Sequence, residues 1–282
     1  MYKILTKETI AQDTYRMKIE APLIAEEREP GQFVILSVHG EYGERIPLTI
    51  ADADSREGSI TVIFQVAGYS TSELAKLNPD DHVPVLLGPL GHPTHIDRFG
   101  HVVCVAGGIG AAPLYPIAEA LRENGNTITT ILGAQSKDMM ILEEEMRSLS
   151  DETIVCTDDG TYGRKDVVTG PLEEICASDR TPDLVVAVGP PVMMKFCAET
   201  TRPYGIKTMV SLNTIMIDGT GMCGGCRVTV GEETKFTCVD GPEFDGHQVD
   251  FDEMINRLNA YTDHEQDALE RKPHSGCCQS AG

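Results

Sequence analysis

The sequence predicts an antiparallel β-barrel, then an α/β domain on a mostly parallel sheet, then a small metal-binding loop. Three observations predict this order. Short apolar runs broken by Gly, Pro, Asn and Asp fill residues 1–98. Strand and helix patterns alternate over residues 99–210. Glycine then gathers around a tight cysteine group in residues 211–249, a stretch too short for a core of its own, where a metal would supply stability. A polar tail occupies residues 250–282.

In the first region Tyr15, Met17 and Ile19 alternate with polar residues, the period of a half-buried strand. Gln32–His39, Ser59–Val66 and His82–Leu87 read as further strands. The second region opens with a strand at His101–Ala106, which ends in Gly107-Gly108-Ile109-Gly110. A helix follows. Pro113 lies near its start, Leu114, Ile117, Ala118 and Leu121 share one face, and Asn124-Gly125 stops it. Thr127–Leu132 and Asp183–Val188 are strands, with helices near Leu142–Leu149 and Val192–Thr200. The tail holds one short helix, Phe251–Leu258.

A net charge of −21 excludes nucleic acid as a partner, because phosphates need a basic surface. It also disfavours direct docking of a strongly acidic protein such as a ferredoxin. No apolar run approaches the roughly eighteen residues that span a bilayer, and the first residues lack a secretion pattern. A cytoplasmic location is expected. Nine cysteines then point to metal or redox chemistry before disulfides. Cys104, Cys156, Cys176 and Cys197 lie among apolar segments and read as small buried hydrophobes.

The remaining cysteines are more informative. Asp218, Cys223, Cys226 and Cys238 follow a D-x4-C-x2-C-x11-C spacing. Plant-type [2Fe–2S] sites use C-x4-C-x2-C with a distant fourth cysteine, so Asp218 stands where the first thiolate is usual. A carboxylate oxygen is an acceptable hard ligand for ferric iron. Gly219, Gly221, Gly224 and Gly225 would let backbone N–H groups approach the sulfurs and permit positive φ angles. The alternatives are a zinc knuckle, which prefers paired C-x-x-C units where only one exists, or a plain turn. Cys277-Cys278 in the polar tail reads as part of a disordered end, with ligation or oxidation as the alternatives.

Two glycine-rich turns suggest phosphate binding. Gly107–Pro113 joins a strand to a helix, the setting in which a pyrophosphate meets a helix N-terminus. Asp158-Asp159-Gly160 and Val188-Gly189-Pro190 would lie along the same sheet edge. In the barrel region, Gly68-Tyr69-Ser70-Thr71-Ser72 precedes a helix-like stretch and offers hydroxyls and free N–H groups to a diphosphate. A Ser/Thr helix cap is the competing reading. Arg45–Thr49 taken alone is an ordinary strand segment.

Together these residues resemble the ferredoxin–NADP reductase superfamily over nearly the whole chain. The resemblance implies a β-barrel FAD domain, a Rossmann-like α/β nucleotide domain and a C-terminal [2Fe–2S] loop. In that family an Arg-x-Pro-Leu-Thr/Ser strand holds the flavin, which implies Arg45, Pro47, Leu48 and Thr49 here. The FAD diphosphate would fall to Gly68, Ser70, Thr71 and Ser72, with Val66 beside them. A Gly-Gly-x-Gly-x-x-Pro turn takes the nicotinamide dinucleotide, which implies Gly107, Gly108, Gly110, Ala111, Ala112 and Pro113, with Asp158, Gly160 and Gly189 along the edge. Gly88-Pro89-Leu90-Gly91 matches the family's Gly-Pro-x-Gly segment. The cluster loop is similar to that of electron-transfer subunits of dihydroorotate dehydrogenase B, which use Cys at the first ligand position. Asp218 departs from them and resembles instead the small subunits of electron-bifurcating NADH-dependent reduced ferredoxin–NADP oxidoreductases, also described as sulfide dehydrogenase subunits.

The resemblance implies an oxidoreductase subunit of a heterodimer, with a larger FAD and [4Fe–4S] partner through which ferredoxin would be reached. No side chain need act as acid or base, since FAD and nicotinamide carry the hydride. NAD(H) is the expected nucleotide, because Gly133–Asp138 contains no Arg for a 2′-phosphate, although Lys137 leaves NADP(H) open. Other relay complexes, acting on dihydroorotate or on sulfite or sulfide, are the rival readings. A nucleotide-sensing or structural subunit is the rival of another class.

Overall fold

A computed structural model describes residues 1–39, 43–262, 264, 265 and 267. Cys277 and Cys278 lie outside the described residues. The first strands are β1 (Tyr2–Ala11), β2 (Thr14–Glu20), β3 (Phe33–Ser37), β4 (Ile46–Asp54) and β5 (Ser59–Gln65), with a short helix α1 (Pro22–Glu27) after β2. Helix α2 (Tyr69–Leu74) precedes β6 (His82–Val83) and β7 (Val85–Leu90). They form one antiparallel sheet in the order β6-β1-β2-β5-β4-β3-β7. Met17 and Ile19 of β2, Val34 and Leu36 of β3, and Ile60, Val62 and Phe64 of β5 alternate into its core.

The stretch read as one strand, His82–Leu87, is two. β6 pairs with β1 and β7 pairs with β3, on opposite edges of the sheet. Pro84 stands between them and has no N–H to give to a ladder, so the chain changes partner there. Strand β5 is buried along both faces up to Phe64. Its second face supplies Ile63, which joins Ala51 of β4 in a cluster with the first helix of the next region.

That region runs β8 (His101–Gly107), α3 (Ala111–Glu123), β9 (Thr127–Ala134), α4 (Glu143–Leu149), β10 (Glu152–Thr157) and β11 (Arg164–Lys165). It continues with α5 (Thr169–Cys176), β12 (Leu184–Val188), α6 (Pro191–Thr201) and β13 (Thr208–Ser211). The strand order is β11-β10-β9-β8-β12-β13, parallel throughout. Helices α3 and α4 pack on one face, α5 and α6 on the other. The order reverses direction between β8 and β12, which makes the crevice at their carboxyl ends the expected ligand position.

The cysteine-bearing segment contains a hairpin, β14 (Arg227–Val230) and β15 (Glu233–Phe236), a turn of helix α7 (Thr237–Asp240), and β16 (Glu243–Asp245). β16 pairs antiparallel with β13, so the segment returns to the edge of the parallel sheet. Its other attachment is to the barrel. Phe33 and Ile35 of β3 pack with Met216, Cys226 and Cys238 in a small cluster of their own. Helix α8 (Phe251–Leu258) falls where the sequence places a short helix, with Asp250 capping it through a 2.9 Å bond from the Glu253 N–H. Phe251 and Met254 bury its apolar face against α6.

Candidate functional site

The reversal point of the parallel sheet is built from glycines. A Cβ on Gly110 would stand 2.1 Å from the Val188 carbonyl oxygen, so only glycine lets the β8 turn lie against the end of β12. Gly107 and Gly189 lie instead against the end of the Met193 side chain, a flexible neighbour. Gly108 differs: its φ is +54° and nothing lies within 4 Å of its Cβ position. It therefore presents open backbone at the turn that leads into α3, whose first N–H groups have no intrahelical partner. Ala111, Ala112 and Pro113 form the first turn of α3. Asp158 and Gly160 follow the end of β10, and Asp158 N–H donates to the Ala134 carbonyl at 3.1 Å, joining the turns after β9 and β10.

On the barrel, Pro47, Leu48 and Thr49 belong to β4 and pair with Ile35, Val34 and Phe33 of β3. All residues from Arg45 to Thr49 are half-buried, whereas the neighbouring β3 is buried throughout. That leaves a strand surface that protein covers incompletely. Gly68 caps α2 and has open space where a side chain would be. The Thr71 hydroxyl accepts from the Ala67 and Gly68 N–H groups, both at 3.0 Å, and Ser72 donates to the Tyr69 carbonyl at 2.7 Å. Both hydroxyls thus serve the helix start itself. Ser70 donates to the Glu44 carboxylate, a contact absent from the sequence reading. Val66 N–H is held by the Asp13 carbonyl at 2.8 Å, beside this turn.

The cysteine loop orders its four candidate ligands as two pairs. Cys226 and Cys238 are buried with sulfurs 3.2 Å apart. Cys223 is exposed and Asp218 half-buried; the Asp218 carboxylate accepts from the Cys223 and Thr220 N–H groups, each at 2.9 Å. Those bonds, Thr220 first, hold its carboxyl below the usual carboxylate range. Among the described residues no three His, Cys, Asp or Glu side chains converge on one point. A two-iron cluster does not require that, since each iron takes its own pair of protein ligands. Gly219, Gly221 and Gly224 have φ of +75°, +80° and +68°. Gly225 does not have positive φ; its N–H donates instead to the Cys223 sulfur at 3.4 Å. Cys238 N–H donates to the Cys226 sulfur at 3.5 Å. Burial pushes the Cys238 thiol up to about 12, so without a metal it is protonated. The thiol pair, the sulfur-directed N–H groups and the left-handed glycines fit an iron–sulfur cluster.

Cys104, Cys156, Cys176 and Cys197 are buried as expected. Burial raises the Cys104 and Cys197 thiols to about 12 and Cys176 to about 11, which leaves them inert.

Comparison with known proteins agrees with this geometry. Residues 104–199 match the oxidoreductase NAD-binding domain, and residues 213–250 match the iron–sulfur cluster binding domain of dihydroorotate dehydrogenase B. The chain is 48% identical to a dihydroorotate dehydrogenase B (NAD(+)) electron transfer subunit homolog of Thermotoga maritima, over 95% of this chain and 94% of the relative. It is 35% identical to the dihydroorotate dehydrogenase B (NAD(+)) electron transfer subunit of Geobacillus thermodenitrificans, over 87% and 96%. A chain from the structure of an NADH-dependent reduced ferredoxin–NADP oxidoreductase, solved in a study of flavin-based electron bifurcation, superposes with a TM-score of 0.90. That chain is 46% identical, with 96% and 97% of the two lengths covered. No helix among the described residues is long and apolar enough to cross a membrane. The barrel, the doubly wound sheet and the cluster loop occur together for a reason: the chain is a ferredoxin–NADP reductase-like oxidoreductase and belongs to the family of dihydroorotate dehydrogenase B electron transfer subunits.

Proposed function

We propose that the chain relays electrons among NAD(H), FAD and a [2Fe–2S] cluster, and exchanges them with a larger FAD and [4Fe–4S] subunit in flavin-based electron bifurcation. The observation that carries this reading is the position of β3. Its side chains Phe33 and Ile35 pack on Cys226 and Cys238, while its backbone pairs with Pro47–Thr49 of β4. Strand β3 therefore touches the cluster loop through its side chains and the candidate flavin strand through its backbone.

FAD, when bound, accepts a hydride from NADH and releases electrons singly, which suits a cluster that carries one at a time. The chain's own residues supply position and electrostatics. Arg45 offsets phosphate charge, and the FAD diphosphate at the α2 start requires Glu44 to turn away from Ser70. Gly108 leaves room for the dinucleotide backbone at the end of β8, and Gly110 lets that turn lie against the end of β12. Cys223, Cys226 and Cys238 would hold the cluster through their sulfurs, with Asp218 as the fourth donor. The N–H groups of Gly225 and Cys238 donate to sulfur, a contact that tunes cluster potential. Asp218 in place of the usual cysteine favours the bifurcating complex over dihydroorotate oxidation. The net charge of −21 favours a route to ferredoxin through the partner.

Anaerobic purification from native extract tests the reading. The expected result is a yellow-brown protein with FAD and two irons per chain, bleached by NADH and accompanied by a larger subunit. A chain free of flavin and iron would overturn it, and co-purification with a dihydroorotate-oxidising subunit would assign the rival complex.

A further inference from the structure

We propose that Glu143 makes the nucleotide site selective against a 2′-phosphate by withholding two cations, Lys137 and Arg147, from the adenosine ribose. The proposal rests on the reading of the β8–β12 crevice as a dinucleotide site and names the residues that set its preference.

In a doubly wound sheet the adenosine ribose lies beyond the carboxyl end of the second strand, where a carboxylate suits NAD and a cation suits NADP. That strand is β9, which ends at Ala134. The turn after it is laced to the turn after β10: Asp159 N–H donates to the Gln135 carbonyl at 3.2 Å, and Lys137 N–H donates to the Thr161 hydroxyl at 3.0 Å. This lacing sets Tyr162 against Lys137, whose ammonium lies 5.3 Å from the ring centroid. The Tyr162 hydroxyl donates to Glu143 Oε1 at 3.0 Å. The same oxygen accepts from Arg147 Nε at 2.8 Å. One carboxylate oxygen therefore neutralises Arg147 and also anchors the ring on which Lys137 rests. Arg147 is remote in sequence from the turn after β9, so the absence of Arg in Gly133–Asp138 understates the cations near that turn. Asp138, Asp158 and Asp159 lie in these turns and add negative charge.

A 2′-phosphate would need charge-assisted bonds from such cations. Here Arg147 is paired with Glu143 and the exposed Lys137 is drawn over the Tyr162 ring, and a phosphate entering beside Glu143 meets like charge. A ribose bearing only a hydroxyl needs neither cation. The competing account is that Glu143 merely supports α4, through its place in the first turn and its i,i+4 bond to Arg147. The two accounts separate on a ratio. Loss of support would weaken every adenosine ligand alike, whereas loss of the filter favours only the phosphorylated one.

The test is calorimetric titration of the purified full chain with 2′,5′-ADP and with 5′-ADP, which involves no electron transfer. Glu143→Gln removes the charge and keeps a hydrogen-bonding group. It should lower the ratio of Kd for 2′,5′-ADP to Kd for 5′-ADP about tenfold, the size of one gained charge-assisted contact. Tyr162→Phe keeps the ring but unties it, and the Lys137 that rests on it, from Glu143, and should lower the ratio less. Adding Lys137→Ala to Glu143→Gln should return it part of the way. An unchanged ratio in both Glu143→Gln and Tyr162→Phe overturns the proposal. Failure of the unaltered chain to bind 5′-ADP at all overturns the nucleotide-site assignment beneath it.

Discussion

The Asp218 carboxylate already accepts N–H bonds from Thr220 and Cys223, so replacing it removes a loop clasp together with a candidate iron ligand. Asp218→Cys should keep iron, since it restores the usual four-cysteine set, while shifting the EPR signal and the potential. Asp218→Ala should lower iron per chain, measured by elemental analysis, by a margin that Asp218→Cys does not show. Equal iron and an identical EPR spectrum in both variants would remove Asp218 from the ligand set. The cysteine spacing was legible in the sequence because ligand order along a loop is a one-dimensional property. The clasp was not, because it depends on where φ turns positive, and Gly225, expected among those positions, is not one of them. The Ser70–Glu44 contact and the approach of Arg147 to Tyr162 were hidden for a similar reason. Each joins segments that only tertiary structure brings together.

Elements were legible where their period was long and their boundary chemistry strong. Helix α3 shows this, with Pro113 near its start, one apolar face and Asn124-Gly125 at its stop, whereas the Asp250 cap of α8 is seen only in the structure. Asp250→Ala should cost about 1 kcal/mol of stability by chemical denaturation, the usual value of a lost cap. The β6–β7 stretch was misread as one strand because an apolar run with proline inside it carries no sign of which edge it joins. Strand β16 was missed altogether, since three residues, Glu243–Asp245, are too few to show a period. At the β8–α3 turn the glycines were legible as a group, and the structure separates their reasons. Gly110→Ala forces a methyl group to 2.1 Å from the Val188 carbonyl oxygen. It should destabilise the protein by on the order of 1–3 kcal/mol and weaken 5′-ADP binding. Gly108→Ala meets no neighbour and should cost only about 1 kcal/mol, for its left-handed φ. Calorimetry on the two variants checks the order.

The whole molecule is tied together where the linker from the barrel crosses the edge of the parallel sheet. Thr94 donates its backbone N–H to the Pro30 carbonyl at 2.9 Å and its hydroxyl to the Glu243 carboxyl. His92 N–H reaches the Gly241 carbonyl at 2.7 Å. Burial raises the Glu243 carboxyl from 4.5 to about 7, against the lowering effect of Thr94. The folded chain therefore holds a proton between those two values that the unfolded chain has released. Stability should fall as pH rises from about 4.5 to about 7 and level off above. Glu243 is only half-buried as a residue and lines a cavity of about 150 Å³, so solvent reduces the effect. A loss on the order of 1–2 kcal/mol is expected, below the ~3.5 kcal/mol that a sealed site would give over the interval from 4.5 to about 7. Denaturation midpoints at pH 5 and pH 8 check it, and Glu243→Gln should flatten this contribution. Strand β3 binds the molecule in another way. Val34 and Leu36 turn into the barrel while Phe33 and Ile35 turn toward the cysteine loop, so a slip of one residue would exchange the two faces. Its register serves the barrel core, beside the candidate flavin strand, and the candidate cluster loop at once, and neither can be repaired at the expense of the other. On warming, flavin and iron should therefore leave in a single event, because the wall they share has no way to yield on one side alone.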